Sequence, residues 1–117
     1  MRKTFILALA AAVALPPTAV LAQAGNFTIV NATNIDMTGL AVRRFGTSEW
    51  RPLVLAPVPI VKSGRGAAKF KDEDCAFDLR ATLPDGRTVL WPGVNLCQAK
   101  VVRLNQNARG VLWVEYE

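Results

Sequence analysis

The stretch Cys75-Ala76-Phe77-Asp78-Leu79-Arg80-Ala81-Thr82-Leu83, followed by Pro84-Asp85-Gly86 and then Thr88-Val89-Leu90-Trp91, decides the fold. Successive side chains on an extended strand point to opposite faces. Cys75, Phe77, Leu79, Ala81 and Leu83 therefore share one face, and Ala76, Asp78, Arg80 and Thr82 the other. The first face is core and the second meets water, the alternation of an antiparallel sheet solvated on one side. Proline presets the first dihedral of a turn and glycine accepts a positive one, so Pro84-Asp85-Gly86 predicts a hairpin. Its returning strand, Thr88 to Trp91, is expected to end at Pro92-Gly93.

The same period of two extends outward in both directions. Upstream, Phe27-Thr28-Ile29-Val30 reads as a first strand closed by the turn-rich cluster Asn31-Ala32-Thr33-Asn34, and Leu40 to Phe45 as a second. Between Ser48 and Ser63, Pro52, Pro57 and Pro59 lack the N–H that a central strand donates, so this segment reads as edge strand and loop. A further run opens at Gly64 and Gly66 and ends at Phe70, before the charged Lys71-Asp72-Glu73-Asp74. Downstream, Lys100 to Leu104 and Val111 to Tyr116 flank the polar turn Asn105 to Gly110. No sustained helical period and no internal repeat follows residue 24. Six or seven short strands with turn signals every 8 to 12 residues or so predict a small antiparallel β-sandwich of immunoglobulin-like layout.

The chain begins with the three parts of an export signal. Arg2-Lys3 is the charged start, Phe5 to Leu15 the apolar run, and Pro16 to Ala24 a segment ending in small residues. Cleavage is expected after Ala22 or Ala24, giving a leader at residues 1–24 and one domain at residues 25–117. The apolar run is shorter than the roughly 20 residues needed to span a bilayer, and the proline pair would break a spanning helix. No cysteine lies near the cleavage point to take a lipid, and Arg2-Lys3 is not a twin-arginine pair. The expected location is the periplasm or the exterior, with no membrane span once the leader is gone. The formal charge falls from +5 to +3, because Arg2 and Lys3 leave with the leader.

Cys75 and Cys97 are the only cysteines. An even count in an exported chain reads as a disulfide, and no C-x-x-C motif is present to activate a thiol. A bridge across this loop stabilises by about 3 kcal/mol on the chain-entropy view.

The run Asp74-Cys75-Ala76-Phe77-Asp78-Leu79-Arg80-Ala81, then Asp85-Gly86, then Gly93-Val94-Asn95-Leu96-Cys97, resembles a group of small exported proteins of Gram-negative bacteria that share this cysteine-framed hairpin. Phe27-Thr28-Ile29-Val30-Asn31 resembles them too, so the likeness covers most of residues 25–117. It implies a structural framework and no named activity. Some members carry an argininosuccinate lyase label, but that enzyme is much longer and largely helical, and none of its active-site motifs falls on these residues.

The chain contains no histidine, which removes the usual general base near neutral pH, the Ser-His-Asp and Cys-His arrangements, and the commonest zinc and copper ligand. Asp72-Glu73-Asp74 lacks the alternating spacing of a calcium loop and reads as a solvated charged turn. No cofactor or metal is expected. Asp78 and Arg80, two apart on the wet face, read as an anion-reading pair or a surface ion pair. Arg43, Arg44, Arg51, Lys62, Arg65, Lys69 and Lys71 gather around Trp50, a composition that suits polyanions or acidic glycans. Alternation nevertheless places Arg43 and Arg44 on opposite faces. Trp50, Trp91 and Trp113 are core or rim residues, any of which would serve as a binding anchor if exposed.

The candidate binding surface is therefore Arg43, Trp50, Arg51 and Arg80. The expected function is a non-enzymatic exported binding module for an envelope protein or polymer, with nucleic acid excluded by compartment. Two alternatives stand. One is a glycan hydrolase using two of Asp72, Asp74, Asp78 and Glu115, which requires two carboxyl groups about 5 to 10 Å apart in a cleft. The other is a purely structural or stress-related envelope component.

Overall fold

The computed structural model describes residues 22–117. The leader expected at residues 1–24 falls almost wholly outside the described residues. Within them every regular element is a strand: β1 Phe27–Ala32, β2 Gly39–Arg44, β3 Arg51–Pro52, β4 Val54–Ala56, β5 Arg65–Lys69, β6 Ala76–Thr82, β7 Thr88–Asn95, β8 Val101–Gln106 and β9 Leu112–Tyr116. They form a sandwich of a five-stranded sheet, β4-β5-β1-β8-β9, and a four-stranded sheet, β3-β2-β6-β7. No helix among the described residues is long and apolar enough to cross a membrane.

The count exceeds six or seven because the proline segment contributes two short strands, one to each sheet. β3 pairs with β2 and β4 with β5, so the chain changes sheets at Leu53, whose side chain enters the core. Every ladder is antiparallel except β1 with β8, which runs parallel from Thr28↔Val101 to Ala32↔Asn105.

The β6–β7 hairpin forms as its sequence dictates. Phe77, Leu79 and Ala81 are fully buried, and Gly86 takes φ +86° in the turn, where its N–H donates to the Leu83 carbonyl at 2.9 Å. Cys75 and Cys97 are disulfide-bonded with their Cα atoms 5.0 Å apart, closing the end of the hairpin remote from that turn. Pro92-Gly93 does not end β7. The register shifts between Phe77↔Val94 and Leu79↔Trp91, so Pro92 and Gly93 together face Asp78 as a β-bulge, with Gly93 at φ +64°. A bulge accommodates both the missing proline N–H and a positive φ, so the strand continues to Asn95.

Two side chains tie the sandwich together. Trp91, fully buried on β7, donates its indole N–H to the Asn105 carbonyl on β8 at 3.1 Å, across the gap between sheets. Asn31 lies inside β1, not in a turn after it, and is fully buried. Its amide donates to the carbonyls of Ile35 and Ile60, and its Oδ1 accepts the Thr33 N–H and hydroxyl. Buried polar atoms are tolerated when each finds a partner, and this one fastens two loops to β1.

Candidate functional site

On β2 the alternation sends Leu40 and Val42 inward and Arg43 to the opposite face, while Arg44 ends the strand exposed. The two neighbouring arginines therefore serve different carboxylates. Arg43 lies directly across from Asp78 on β6, and its Nε donates to Asp78 Oδ2 at 2.8 Å. Arg44 donates to Asp72 Oδ1 at 3.0 Å and pairs through Nε with Asp74 at 3.1 Å.

Asp78 departs from its expected place on a wet face: it is 3% exposed. Its second oxygen accepts the Gly93 N–H at 3.0 Å, the bulge amide that the strand ladder leaves without a partner. Nor is its partner Arg80, two residues along the same strand; it is Arg43 across the ladder. Pro92-Gly93 inside a hydrophobic strand was the one sequence signal for this arrangement, because a bulge exposes an N–H that a neighbouring carboxylate can take.

Trp50 stands in the row that Arg43 and Asp78 begin, one step beyond the ladder pair Val42↔Arg51. The Arg43 guanidinium lies 4.5 Å from the ring centroid of Trp50 and that of Arg80 lies 4.3 Å from it. Both are cation–π contacts. Ala41, the residue opposite Arg80 on β2, presents only a methyl group on this face. Arg80 has no ion-pair partner among the described residues, which leaves its planar set of N–H donors to solvent. An open groove of about 770 Å³ runs beside this cluster, lined by Arg43, Arg44, Trp50, Arg51 and the β2–β3 loop from Gly46 to Glu49.

Arg51, the fourth residue expected on this surface, borders the groove from its other side. Its guanidinium sits 5.1 Å from the Phe70 ring and pairs with Asp72. Asp72 is not solvated: its side chain is 3% exposed between Arg44 and Arg51 and also accepts the Asp74 N–H at 2.9 Å. Burial pushes the Asp72 carboxyl up, but the Asp74 N–H and the two guanidinium groups outweigh it and hold the group below the usual carboxylate range. Glu73 and Asp74 remain exposed, as a charged turn should. No group of three acidic or cysteine side chains among the described residues is placed to hold a metal ion.

The remaining expected residues lie elsewhere. Trp91 is core, and Trp113 sits 43% exposed on β9 in the other sheet, where its indole donates to Glu115 at 3.1 Å. Of the four carboxylates named for the hydrolase alternative, Asp72 and Asp74 are brought together on Arg44, and Asp78 and Glu115 lie apart from them. Asp72, Asp74 and Asp78 are each engaged by an arginine, and Glu115 belongs to the five-stranded sheet.

No family model and no curated protein matches the chain. Among solved structures, an NMR structure of a protein from Eubacterium rectale is similar, with a TM-score of 0.51 and 11% identity over 80% of this chain and 87% of that one. That likeness concerns the fold alone.

Proposed function

We propose that the protein is an exported, non-enzymatic binding module whose recognition surface is the outer face of β2 and β6 with the β2–β3 loop. The observation that carries this reading is the Trp50 ring held by Arg43 and Arg80, with the Arg80 donors uncommitted and an open groove lined by Arg43 and Trp50. A planar guanidinium fork matches carboxylate, sulfate or phosphate in pairs of hydrogen bonds, and a fixed indole offers a flat apolar face to a sugar or aliphatic segment. The ligand class is an anionic envelope polymer or an acidic glycan. The distribution of the carboxylates supports binding over hydrolysis, because three are neutralised by arginine and the fourth lies on the other sheet.

Titration calorimetry with polygalacturonate and with a sulfated glycan, against neutral dextran as control, tests the reading. Binding to the anionic polymers that weakens as salt rises is the expected result. Equal heats from neutral and anionic polymers would sink it.

A further inference from the structure

We infer that the leader is cut between Ala22 and Gln23, so that Gln23 and Ala24 remain on the mature chain and Ala24 becomes part of the fold beside the groove. This rests on the export reading above. The sequence around the cut is ambiguous: Val20-Leu21-Ala22 and Ala22-Gln23-Ala24 both place small residues where a signal peptidase needs them. The fold breaks the tie.

Ala24 is 2% exposed and belongs to the apolar core. It pairs with Asp72 as an antiparallel bridge, its N–H donating to the Asp72 carbonyl at 3.0 Å and its carbonyl accepting the Asp72 N–H at 3.1 Å. Asp72 is the residue whose carboxylate holds Arg44 and Arg51, the two arginines on the inner border of the groove. A cut after Ala24 would remove both backbone partners of Asp72 and leave its buried N–H without an acceptor, a state that folded chains avoid. A cut after Ala22 keeps the bridge whole.

Hydrolysis of the Ala22–Gln23 bond consumes one water, leaving a carboxylate on the leader and an ammonium on Gln23. Ala22 and Gln23 are exposed, so neither is needed to fill the core. Gln23 lines a hollow with Arg44, Arg51, Lys71, Asp72 and Glu73, so the new terminus opens to solvent among charged side chains of both signs.

The full chain, produced in a Gram-negative host and recovered from the periplasm, tests this by intact mass and N-terminal peptide mapping. A chain beginning at Gln23, as glutamine or its cyclised form, is the expected product. A chain beginning at Gly25 overturns the inference but leaves export standing, whereas an uncut chain beginning at Met1 overturns both. A second measurement compares the melting of chains produced to start at Gln23 and at Gly25. The shorter is expected to melt several degrees lower, and equal melting temperatures would remove the structural reason for the cut.

Discussion

Arg43 and Asp78 face one another directly across β2 and β6, and the same Asp78 carboxylate that takes the Arg43 Nε at 2.8 Å also takes the bulge N–H of Gly93 at 3.0 Å. One buried acid thus fixes the irregular strand β7 and aims the guanidinium on which Trp50 rests. The recognition face and the strand irregularity share a support.

Asp78→Ala leaves the Gly93 N–H and the Arg43 guanidinium without their acceptor. Hydrogen bonds to charged groups contribute about 1.5 to 3 kcal/mol each, and Arg43 is partly solvated, so a loss of about 2 to 3 kcal/mol is expected. Asp78→Asn keeps an oxygen for Gly93 and should lose less. Urea unfolding of the three proteins provides the measurement, and equal losses would remove the bulge from the account.

Trp50→Ala and Arg80→Ala should separate binding from stability. Arg80 has no ion pair among the described residues and Trp50 is only half-buried, so each substitution is expected to cost at most about 1 kcal/mol of folding stability. Each should weaken binding of an anionic polymer about tenfold, equivalent to about 1.4 kcal/mol. Calorimetry on the folded variants decides; undiminished affinity in the double variant would clear this face of any role.

Asp72 confers a defined acid sensitivity. Its folded pKa lies below the unfolded value near 4, so the folded state releases the proton more readily. The stabilisation is complete above about pH 4 and is lost as pH falls through the depressed folded value. Asp72→Asn should therefore be less stable than the parent at pH 7, by about 1 to 3 kcal/mol, with the gap narrowing below pH 4 or so. Thermal melts at a series of pH values would show a constant gap if the carboxylate carried no linkage.

Reducing Cys75–Cys97, or replacing both residues by Ser, frees the end of the β6–β7 hairpin opposite its turn. A loss of about 3 kcal/mol is expected for a loop of this length. Denaturation with and without reductant measures it, and unchanged stability would show that the hairpin closes without the bond.

Gly66 on β5 has no room for a side chain. A methyl placed there would lie 2.6 Å from Cδ1 and 2.9 Å from Cγ1 of Ile60, which is 1% exposed and cannot swing into solvent. Gly66→Ala should cost about 1 to 3 kcal/mol, the usual range for overpacking, and Gly66→Ala combined with Ile60→Val should recover part of it. No recovery in the double variant would mean that the strain lies in the backbone.

The primary sequence determined by itself what depends on neighbours along the chain. Alternation at Phe77, Leu79 and Ala81, the Pro84-Asp85-Gly86 turn, the cysteine pair and the opposite facing of Arg43 and Arg44 are all local consequences of strand geometry and turn chemistry, and each stands in the structure. Tertiary structure decided what depends on register. The partner that Asp78 takes, the burial of Asp72 between two arginines, the gathering of Trp50, Arg43 and Arg80, and the parallel pairing of β1 with β8 each join residues from separate strands. A charged side chain is buried only where a countercharge waits at the right height on another strand, and that height is a property of the assembled sheets, invisible to any window of sequence.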